Sequence, residues 1–374
     1  MPELPEVETV RLGLERLIVG LPITGVQALA PASLRGDAAP LVGARAVGAR
    51  RRGKVLIIDF DGGWSAVIHL KMTGQLVFRA AAPTADAAGS PPAAVCPPAD
   101  AAGSPPAAVC PPADAAGSPP ADAAGSPPAA AGPPAADDGE AWGAGHPSDS
   151  LIGPLPDKTT RAVIEFDRGR RLYFNDQRRF GWLAVTPTAA VEEIGLLAKM
   201  GPEPFDPNAW PEFRRRARRH PRAAIKAVLL DQSVVAGIGN IYADESLWAA
   251  RVHPATPVAA LSDRKLKELL AAAGSVMELS LSLGGSTDRN YVDAEGRRGA
   301  YLDFAKVFRR QGQACPRCGG AIAKIRLAGR GTHLCPRCQR RRPGRARPGA
   351  AEAGRGGRAR GGPTVLGGPA ASDP

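Results

Sequence analysis

With 374 residues, the sequence is long enough for two or three domains, and its 48 Lys and Arg against 36 Asp and Glu give a net charge of +12, which favours an anionic partner such as nucleic acid. It contains no run of about 18 apolar residues, and its first residues lack the pattern of a signal peptide, so we expect no membrane partner. The six cysteines form no disulfide framework, and together these features predict a cytoplasmic protein.

The first residues, MPELPEVETV, combine a helix signal with two residues that have no evident structural role. A helix is predicted from Pro5, because proline suits the first turn of a helix. The apolar residues that would face the core follow at helical spacing: Val7, Val10, Leu14 and Leu17. Pro2 and Glu3 stand directly before this helix, and because chain termini usually fray, the stretch by itself predicts no function.

Short β-strands are predicted on either side of a repetitive segment. They are VLIIDF (55–60), WSAVIHL (64–70), GQLVFRA (74–80), TRAVIEF (160–166) and RRLYFND (170–176). Strands this short, separated by turn signals, are typical of an antiparallel sandwich or barrel. Lys54 precedes the first of them and, taken alone, is an ordinary surface lysine. In NDQRRFGW, Arg178 and Phe180 could enter a duplex as a cation and a stacking wedge, or could simply pack on each other in the sheet.

The repetitive segment separates the third strand from the fourth. ADAAGSPPAAVCPP at 85–98 recurs unchanged at 99–112, and shorter copies follow. A tract of Ala, Pro, Gly and Ser cannot bury enough apolar surface to offset the entropy lost on ordering, so we expect residues 80–150 to be disordered. Cys96 and Cys110 belong to the repeat and are not expected to bind a metal. A second disordered segment, an Arg- and Gly-rich tail, is predicted at 341–374.

Helical spacing begins near Val191, and an amphipathic helix is predicted between Leu261 and Leu283. An arginine-rich run precedes LLDQSVVAGIGNIYADESL, which predicts a helix end, a glycine-containing turn and a second helix from about Asn240. Glycines let backbone amides approach a phosphate, and a helix N-terminus adds partial positive charge. The segment therefore favours binding to a DNA backbone, although a solvated basic face would also account for the arginines.

The last ordered part of the sequence carries two Cys-x-x-Cys pairs, at Cys315, Cys318, Cys335 and Cys338. Four thiolates at this spacing predict one structural Zn²⁺ in a small β-hairpin module, whereas a redox role would need only one pair. Zinc would supply the folding energy that so short a module cannot obtain from its own core. The residues between the pairs predict two strands with a turn at Gly329-Arg330-Gly331, which would place Arg330 at the tip.

Taken together, these segments resemble the formamidopyrimidine-DNA glycosylase family, whose members remove oxidised purines from DNA. The matching stretches are MPELPEVETV, RRGK, HLKMTGQL, NDQRRFG, VAGIGNIYADESL, GGSTDRNYVDAEGRRGAY and CPRC…GRGTHLCPRC. They occur in the family's order and cover most of the chain outside 80–150 and the tail. The resemblance implies a multi-domain α+β fold with an N-terminal helix and antiparallel β-sandwich (2–187), a helical domain with a helix-two-turn-helix motif (191–300) and a zinc finger (305–340).

The resemblance also implies the catalytic residues. In this family the initiator methionine is removed and the α-amine of the following proline, here Pro2, is the nucleophile, with Glu3 as the general acid. An α-amine titrates near 7.7–8.0, so a usable fraction is neutral at physiological pH, and a secondary amine forms a charged iminium without further proton loss. Lys54 would donate a proton during β-elimination, and Arg330 would act in δ-elimination and phosphate contact.

The implied partner is damaged double-stranded DNA, bound by a monomer. The implied DNA contacts are Met72, Arg178 and Phe180, which would fill the gap left by the flipped nucleotide, and the phosphate-binding residues Arg222, Lys226 and Asn240. Where the family has a DNA-contacting histidine this sequence has Thr159, flanked by Lys158 and Arg161. Two alternatives remain at this point: an endonuclease VIII-like enzyme for oxidised pyrimidines, and a zinc-finger DNA-binding protein without catalysis.

Overall fold

The structure, a computed structural model, describes residues 2–80, 142–145, 153–286 and 299–341. Its strands are β1 (Ile23–Ala28), β2 (Leu34–Arg35), β3 (Ala46–Arg52), β4 (Val55–Phe60), β5 (Trp64–His69), β6 (Gly74–Arg79), β7 (Trp142–Gly145), β8 (Thr160–Phe166), β9 (Arg171–Asp176), β10 (Trp182–Pro187), β11 (Ala323–Leu327) and β12 (Arg330–Leu334). Its α-helices are α1 (Leu4–Ile18), α2 (Gly195–Ala198), α3 (Ala209–Ala217), α4 (Ile225–Leu230), α5 (Asn240–Ala249), α6 (Asp263–Ser282) and α7 (Tyr301–Phe304). None of these helices is long and apolar enough to cross a bilayer.

Two five-stranded sheets, ordered β1-β8-β9-β6-β7 and β2-β10-β5-β4-β3, form the N-terminal part of the fold. All strand pairs are antiparallel except β2 with β10. The five predicted strands are confirmed, each within one residue at either end. Apolar side chains from both sheets and from α1 share one buried cluster, which makes the fold a sandwich and decides between the two predicted architectures.

Strand β7 lies within the segment predicted to be disordered, and the prediction is wrong for these four residues. Trp142 pairs with Phe78 of β6 and is only 8% exposed. A Cβ on Gly13 of α1 would lie 2.5 Å from the Trp142 ring, so glycine there leaves room for the indole. The composition argument failed because WGAG follows the repeat and carries a large apolar side chain. The remaining residues predicted to be disordered, 81–141, 146–150 and 342–374, lie outside the described part of the chain.

The helical part is built around α5 and α6. The predicted start of α6 is confirmed, because the Ser262 side chain caps the helix by accepting a hydrogen bond from the Lys265 amide at 3.2 Å. Four arginines of the arginine-rich run form ion pairs within the protein, because Glu212 pairs with Arg215 and Arg216, and Asp263 pairs with Arg214 and Arg218. Two carboxylates leave net positive charge on the run, so its binding to a DNA backbone stays a prediction.

Helix α1 contributes to both parts of the fold. Leu4 packs in the apolar core of the helical part, whereas Val7, Val10 and Leu14 pack in the core of the sandwich. All four side chains are at most 1% exposed, and burying each contributes roughly 1.5–3 kcal/mol. Because one rigid helix is held by two cores, the residues directly before it are fixed relative to both.

The Cys-rich module is a two-stranded hairpin, as predicted, but its turn differs from the prediction. Ala328 and Gly329 occupy the turn with φ values of 49° and 75°, and Arg330 pairs with Leu327 as the first residue of β12. Positive φ at both central residues is the geometry of a type I′ turn, whose twist suits a hairpin. The prediction was one residue late because Gly331 also reads as a turn residue, yet it belongs to the strand.

Candidate active site

The carboxyl group of Glu3 lies at the N-terminus of α5. Its two oxygens accept hydrogen bonds from the Gly239 amide at 2.6 Å and the Ile241 amide at 3.0 Å. A helix N-terminus offers unpaired amides and partial positive charge, so it is a suitable place for an acidic group. Glu3 is 3% exposed, and Pro2 beside it is half-buried. Met1 lies outside the described residues.

Two glycines in the α4–α5 turn allow this approach. A Cβ on Gly239 would lie 2.2 Å from the Glu3 carboxyl carbon, so a larger residue there would displace the acid. Gly237 has φ +89°, which favours glycine, and its carbonyl accepts a hydrogen bond from the Leu4 amide at 3.1 Å. The sequence predicted that these glycines would expose amides to a phosphate, but in the structure the Gly239 amide binds the carboxyl group of Glu3.

Burial raises the pKa of Glu3 to about 7, and the nearby Lys54 charge opposes this shift while Glu6 adds to it. A carboxylic acid with a pKa near 7 is partly protonated at physiological pH and can donate a proton to a reacting group. The environment therefore gives Glu3 the property that a general acid needs. The α5 amides hold its carboxyl group in one orientation.

Lys54 is the cation whose charge acts most strongly on this acid. It is 5% exposed, and its ammonium donates a hydrogen bond to the Ile238 carbonyl at 2.9 Å. Burial lowers the pKa of Lys54, an effect opposed by the charges of Glu3 and Glu6 and reinforced by Arg330. The interpretation as an ordinary surface lysine is wrong, because the side chain points into the interface between the two cores.

Lys54 is placed by a salt-bridge network in the preceding strand. Arg51 binds Glu8 of α1 at 2.8 Å and Glu203 of the helical part at 2.8 Å, and Glu203 also accepts the Gly53 amide at 2.6 Å. Arg51 is only 10% exposed, so water weakens these ion pairs less than it would at the surface. The network fixes the β3–β4 turn between the two cores.

Glu6 is a buried member of the site that the sequence analysis did not single out. One oxygen accepts the Glu3 amide at 2.7 Å, and the other accepts the Tyr242 hydroxyl at 2.5 Å and the Ser286 amide at 2.8 Å. Burial and the Glu6 charge raise the pKa of Tyr242 well above its ordinary value, so the phenol stays a proton donor. Only the position of Glu6, one helical turn after Glu3, could have signalled this role.

His69 is a second member that the sequence analysis missed, although it lies in HLKMTGQL. Burial, followed by the charges of Lys71 and Lys54, lowers the pKa of His69 to about 3, so the imidazole is neutral. Its Nδ1 accepts the Lys71 amide at 3.0 Å, and its ring lies against Trp182 with centroids 5.9 Å apart. A neutral imidazole therefore lies within electrostatic range of the buried ammonium group of Lys54.

Three of the predicted DNA contacts meet at one exposed point. Met72 is 42% exposed and Phe180 is 53% exposed, which is unusual for large apolar side chains on two neighbouring loops. The Arg178 guanidinium lies 3.2 Å from the Met72 sulfur and 4.9 Å from the Phe180 ring centroid. The sequence placed two of them on one loop, and the structure brings Met72 to them from about one hundred residues away.

A buried aspartate holds these two loops together. Asp176 is 0% exposed and accepts hydrogen bonds from the Thr73 hydroxyl and from the Gly181 amide, the latter at 2.6 Å. Thr73 in turn accepts the Arg178 amide at 3.0 Å. The sequence analysis gave no role to Asp176 or Thr73, because their pairing depends on two strands that are far apart in sequence.

The other predicted phosphate contacts differ in exposure. Arg222 is exposed just before α4. Thr159 and Arg161 are 8% and 6% exposed; the Thr159 hydroxyl donates to Asp157 at 2.7 Å, and Arg161 donates to the Asp176 carbonyl at 2.9 Å. DNA contact by these three residues stays a prediction.

Lys226, another predicted phosphate contact, is buried. It is 0% exposed, and its ammonium donates to Asp244, Thr332 and the Gly331 carbonyl at 2.6, 2.8 and 3.2 Å. An ammonium group has three protons to donate, so protein acceptors take all of them. In the structure Lys226 therefore links the helical part to the hairpin, and its contact with a DNA phosphate stays a prediction.

Asn240 and Arg330 lie on opposite sides of the same contact between helix and hairpin. The Asn240 amide donates to the Gly331 carbonyl at 3.1 Å, and Arg330, one residue earlier, is exposed. The positive charge of Arg330 lowers the pKa of Lys54, which places the guanidinium within electrostatic range of the buried site. Four predicted catalytic residues therefore come from three separate stretches of sequence that converge at the N-terminus of α5.

The four cysteines of the hairpin module form a cluster whose sulfur atoms all lie within 4.8 Å of one another. Cys315 and Cys338 are 3.9 Å apart at sulfur, and Cys318 and Cys335 are 3.5 Å apart. Tetrahedral zinc with Zn–S bonds of about 2.3 Å requires sulfur separations of about 3.8 Å. The cluster therefore fits one structural Zn²⁺.

Comparisons with known proteins agree with this arrangement. Residues 1–98 match the formamidopyrimidine-DNA glycosylase N-terminal domain, residues 200–291 match the formamidopyrimidine-DNA glycosylase H2TH domain, and residues 312–341 match the zinc finger found in FPG and IleRS. A formamidopyrimidine-DNA glycosylase from Exiguobacterium sibiricum is 34% identical, and one from Desulforamulus reducens is 33% identical; each match covers 91% of this chain and 99% of the relative.

Solved structures show the same likeness. The MutM (FPG) protein from Thermus thermophilus is 32% identical with a TM-score of 0.65, and the match covers 91% of this chain and 100% of that one. A point mutant of the Lactococcus lactis FPG protein, solved in complex with a Fapy-dG-containing DNA, is 29% identical with a TM-score of 0.65 over the same shares.

A β-sandwich, a helix-two-turn-helix region and a zinc finger that meet at an N-terminal Pro-Glu pair define a class of DNA glycosylases. Two of these features are seen directly in the structure: the Glu3 carboxyl group bound at the start of α5, and the cluster of four cysteines. The chain belongs to the formamidopyrimidine-DNA glycosylase family.

Proposed function

We propose that this protein is a bifunctional DNA glycosylase and abasic-site lyase of base excision repair that removes oxidised purines, 8-oxoguanine and formamidopyrimidines, from duplex DNA. The observation that carries the proposal is the buried Glu3 carboxyl group, whose pKa is raised to about 7 beside Pro2. A buried acid in this state serves proton transfer, and a protein that only binds DNA would not need it.

The mechanism starts at the amine of Pro2, freed by removal of Met1. The amine attacks C1′ of the damaged nucleotide, the glycosidic bond breaks with its electron pair on the base, and the proton released from the Pro2 nitrogen neutralises the departing base. Glu3 then donates its proton to the ring oxygen O4′ as the C1′–O4′ bond opens, which leaves an iminium between C1′ and the Pro2 nitrogen. This covalent intermediate divides one difficult displacement into easier steps.

Strand cleavage follows from the iminium, which makes the C2′ proton acidic. Loss of that proton sends electrons toward C3′, the C3′–O3′ bond breaks, and Lys54 donates a proton during this β-elimination. Arg330 contacts phosphate and assists the second, δ-elimination, in which a C4′ proton is lost and the C5′–O5′ bond breaks. Phosphate remains at both ends of the gap.

The remaining residues bind the duplex and hold the protein in shape. Met72, Arg178 and Phe180 would fill the gap left by the extruded nucleotide, and their shared exposure supports this role. The four thiolates would hold one Zn²⁺, which supplies folding energy to the hairpin that carries Arg330. We propose the domain bounds 2–187, 191–300 and 305–340, a monomeric state and a cytoplasmic location.

The substrate class can be tested with two labelled duplexes in competition, one with 8-oxoguanine opposite cytosine and one with thymine glycol. We expect the 8-oxoguanine strand to be excised and nicked first, with borohydride trapping a covalent complex. Faster cleavage of the thymine glycol duplex would favour an endonuclease VIII-like enzyme. Salt-sensitive binding without nicking at any protein concentration would favour a non-catalytic DNA-binding protein.

The raised pKa of Glu3 predicts the pH dependence of base excision. Excision needs Glu3 protonated, with a pKa of about 7, and the amine of Pro2 deprotonated, with an ordinary α-amine pKa of about 7.7–8.0. The rate should therefore peak between these two values, fall at lower pH as the amine takes up a proton, and fall at higher pH as Glu3 loses its own. Glu3→Gln should lose the alkaline limb and slow excision by about 10²–10⁴-fold, as measured by single-turnover gels across pH.

Two comparisons make this prediction specific to Glu3. Nicking of a preformed abasic site should slow less, since that sugar has already lost its base and opens without the acid. Glu15→Gln, whose side chain on α1 is 43% exposed, should keep the wild-type profile. A Glu3→Gln protein that excises 8-oxoguanine at the wild-type rate would show that another group supplies the proton.

A further inference from the structure

Two consecutive acids of α5 are buried and have no part in the mechanism above. Asp244 is 0% exposed and Glu245 is 1% exposed. Neighbouring helical residues point about 100° apart, so the two carboxylates reach different parts of the zinc module. Glu245 accepts the backbone amides of Lys306, Val307 and Phe308 at 2.7–2.9 Å, where the chain enters the module. Asp244 reaches the strand that begins with Arg330.

Asp244 binds that strand both directly and through a lysine. Its Oδ2 accepts the His333 amide at 2.8 Å, and its Oδ1 accepts the Lys226 ammonium at 2.6 Å. The Lys226 ammonium also donates hydrogen bonds to the Thr332 hydroxyl at 2.8 Å and to the Gly331 carbonyl at 3.2 Å. The three residues that follow Arg330 are therefore all held by one carboxylate and its partner lysine.

The charge of Asp244 is what keeps this arrangement intact. Asp244 and Lys226 are both 0% exposed, and a buried ammonium without a partner is strongly unfavourable. Burial lowers the pKa of Lys226, and the Asp244 carboxylate opposes that effect most strongly. Without this charge Lys226 would lose its proton or move, and its bonds to Thr332 and Gly331 would weaken.

The same helix holds the general acid. The amides of Gly239 and Ile241 at the start of α5 bind Glu3, and Asp244, one turn further along, fixes the hairpin. The distance between Glu3 and Arg330 is thus set within one rigid element. Misplacing a catalytic group by about 1 Å can slow a step by about 10²-fold.

We propose that Asp244 is a positioning residue that holds Arg330 at the reactive sugar for the δ-elimination step. The inference rests on the function proposed above. In that step a proton leaves C4′, the C5′–O5′ bond breaks, and the phosphate departs with the electron pair of that bond. Asp244 touches neither sugar nor phosphate and acts only through the backbone of β12.

The test uses the full-length, zinc-loaded protein on a labelled 8-oxoguanine duplex. Denaturing gels separate the β-product, which ends in an unsaturated aldehyde, from the δ-product, which ends in a 3′ phosphate. Asp244→Asn should lower the ratio of δ- to β-product by about tenfold or more, while the rate of borohydride trapping changes by less than about threefold. Arg330→Gln removes the guanidinium itself, so the ratio of δ- to β-product in that variant is the lowest that loss of positioning could give.

Glu245→Gln is the matched control, because it loosens the same module at its entrance and leaves the hairpin contacts in place. We expect it to lower thermal stability and keep the wild-type ratio. A zinc-release assay on each variant checks that the module is folded. If Asp244→Asn binds no zinc, Thr332→Val carries the test, since it removes only the hydroxyl that accepts from Lys226, and it should give a smaller fall in the ratio.

Two results would overturn the inference. The first is a wild-type ratio of δ- to β-product in the zinc-loaded Asp244→Asn protein, or in Thr332→Val where that variant replaces it. The second is a fall of that ratio in Glu245→Gln equal to the fall in Asp244→Asn. The first would mean that the hairpin keeps its place without the carboxylate. The second would mean that any loosening of the module has the same effect. If the wild-type protein itself neither traps nor nicks, the proposed function fails. If the wild-type protein gives normal products and the Asp244→Asn variant is unaffected, only the role proposed for Asp244 fails.

Discussion

A Pro2→Gly variant is expected to form the borohydride-trapped complex with 8-oxoguanine DNA at least about 10²-fold more slowly than the wild type. The secondary amine of proline gives a charged iminium directly, whereas the primary amine of glycine gives a neutral imine that needs another proton before it can withdraw electrons. Glycine would also loosen the connection into α1, which starts with Leu4 bound to Gly237 at 3.1 Å. Time-resolved trapping with labelled duplex measures the rate, and mass spectrometry of the trapped peptide locates the adduct.

Pro5→Ala is a suitable control for this change. Pro5 lies in the first turn of α1, and its nitrogen is part of a peptide bond, so its loss should leave the trapping rate unchanged. The adduct should map to the nitrogen of Pro2 in the wild type and in this control. An active preparation that retains Met1, or a Pro2→Gly protein that traps at the wild-type rate, would contradict the mechanism.

Replacing one zinc ligand should abolish the δ-elimination product and slow strand nicking. The buried apolar cluster of the module consists of Val307, Cys315, Ile322 and Cys335, which is too small to hold a fold, and two of its members are metal ligands. Structural zinc contributes roughly 10–16 kcal/mol of apparent binding energy in small fingers, so Cys335→Ser should unfold the hairpin and withdraw Arg330 from the site. Zinc content, thermal unfolding and nicking of an abasic duplex would be measured together.

A cysteine in the repeat provides a control for the loss of a cysteine that is not a predicted zinc ligand. Cys96→Ser should bind one zinc per chain and nick at the wild-type rate, because the repeat carries no predicted metal ligand. Chelation of the wild-type protein followed by addition of zinc should remove and then restore the δ-elimination product. Full activity of Cys335→Ser would show that the site does not depend on a metal-pinned hairpin.

The parts of the fold that the sequence predicted are those with a strong local signal. Short runs rich in apolar residues, bounded by turn signals, marked the strands around Lys54 and the 160–176 hairpin, and the Cys-x-x-Cys spacing marked the zinc module. The start of α5 at Asn240 was predicted by the glycines before it. Trp142 was missed because a composition argument treats a long segment as a unit and overlooks one bulky side chain at its end.

The site was predicted less completely, because its contacts cross between distant parts of the chain. Lys226 looked like another cation in a basic run, and only the packing of β12 against α5 shows that it is buried. Asp176 and Thr73 are 103 residues apart, and Glu6 meets a serine 280 residues later. The resemblance to a family supplied the roles of Pro2 and Glu3, which no local pattern indicated.

The pairing of β6 with β7 determines where the long repeat leaves and re-enters the fold. Phe78 and Trp142 are direct neighbours across that pair, so residues 81–141 join two adjacent strands at one edge of the sandwich. For a flexible loop, closing the ends costs only about 0.6 kcal/mol more for each doubling of length. With the disorder that the sequence predicts for it, the repeat could therefore expand or contract by whole units with little thermodynamic penalty to the catalytic body.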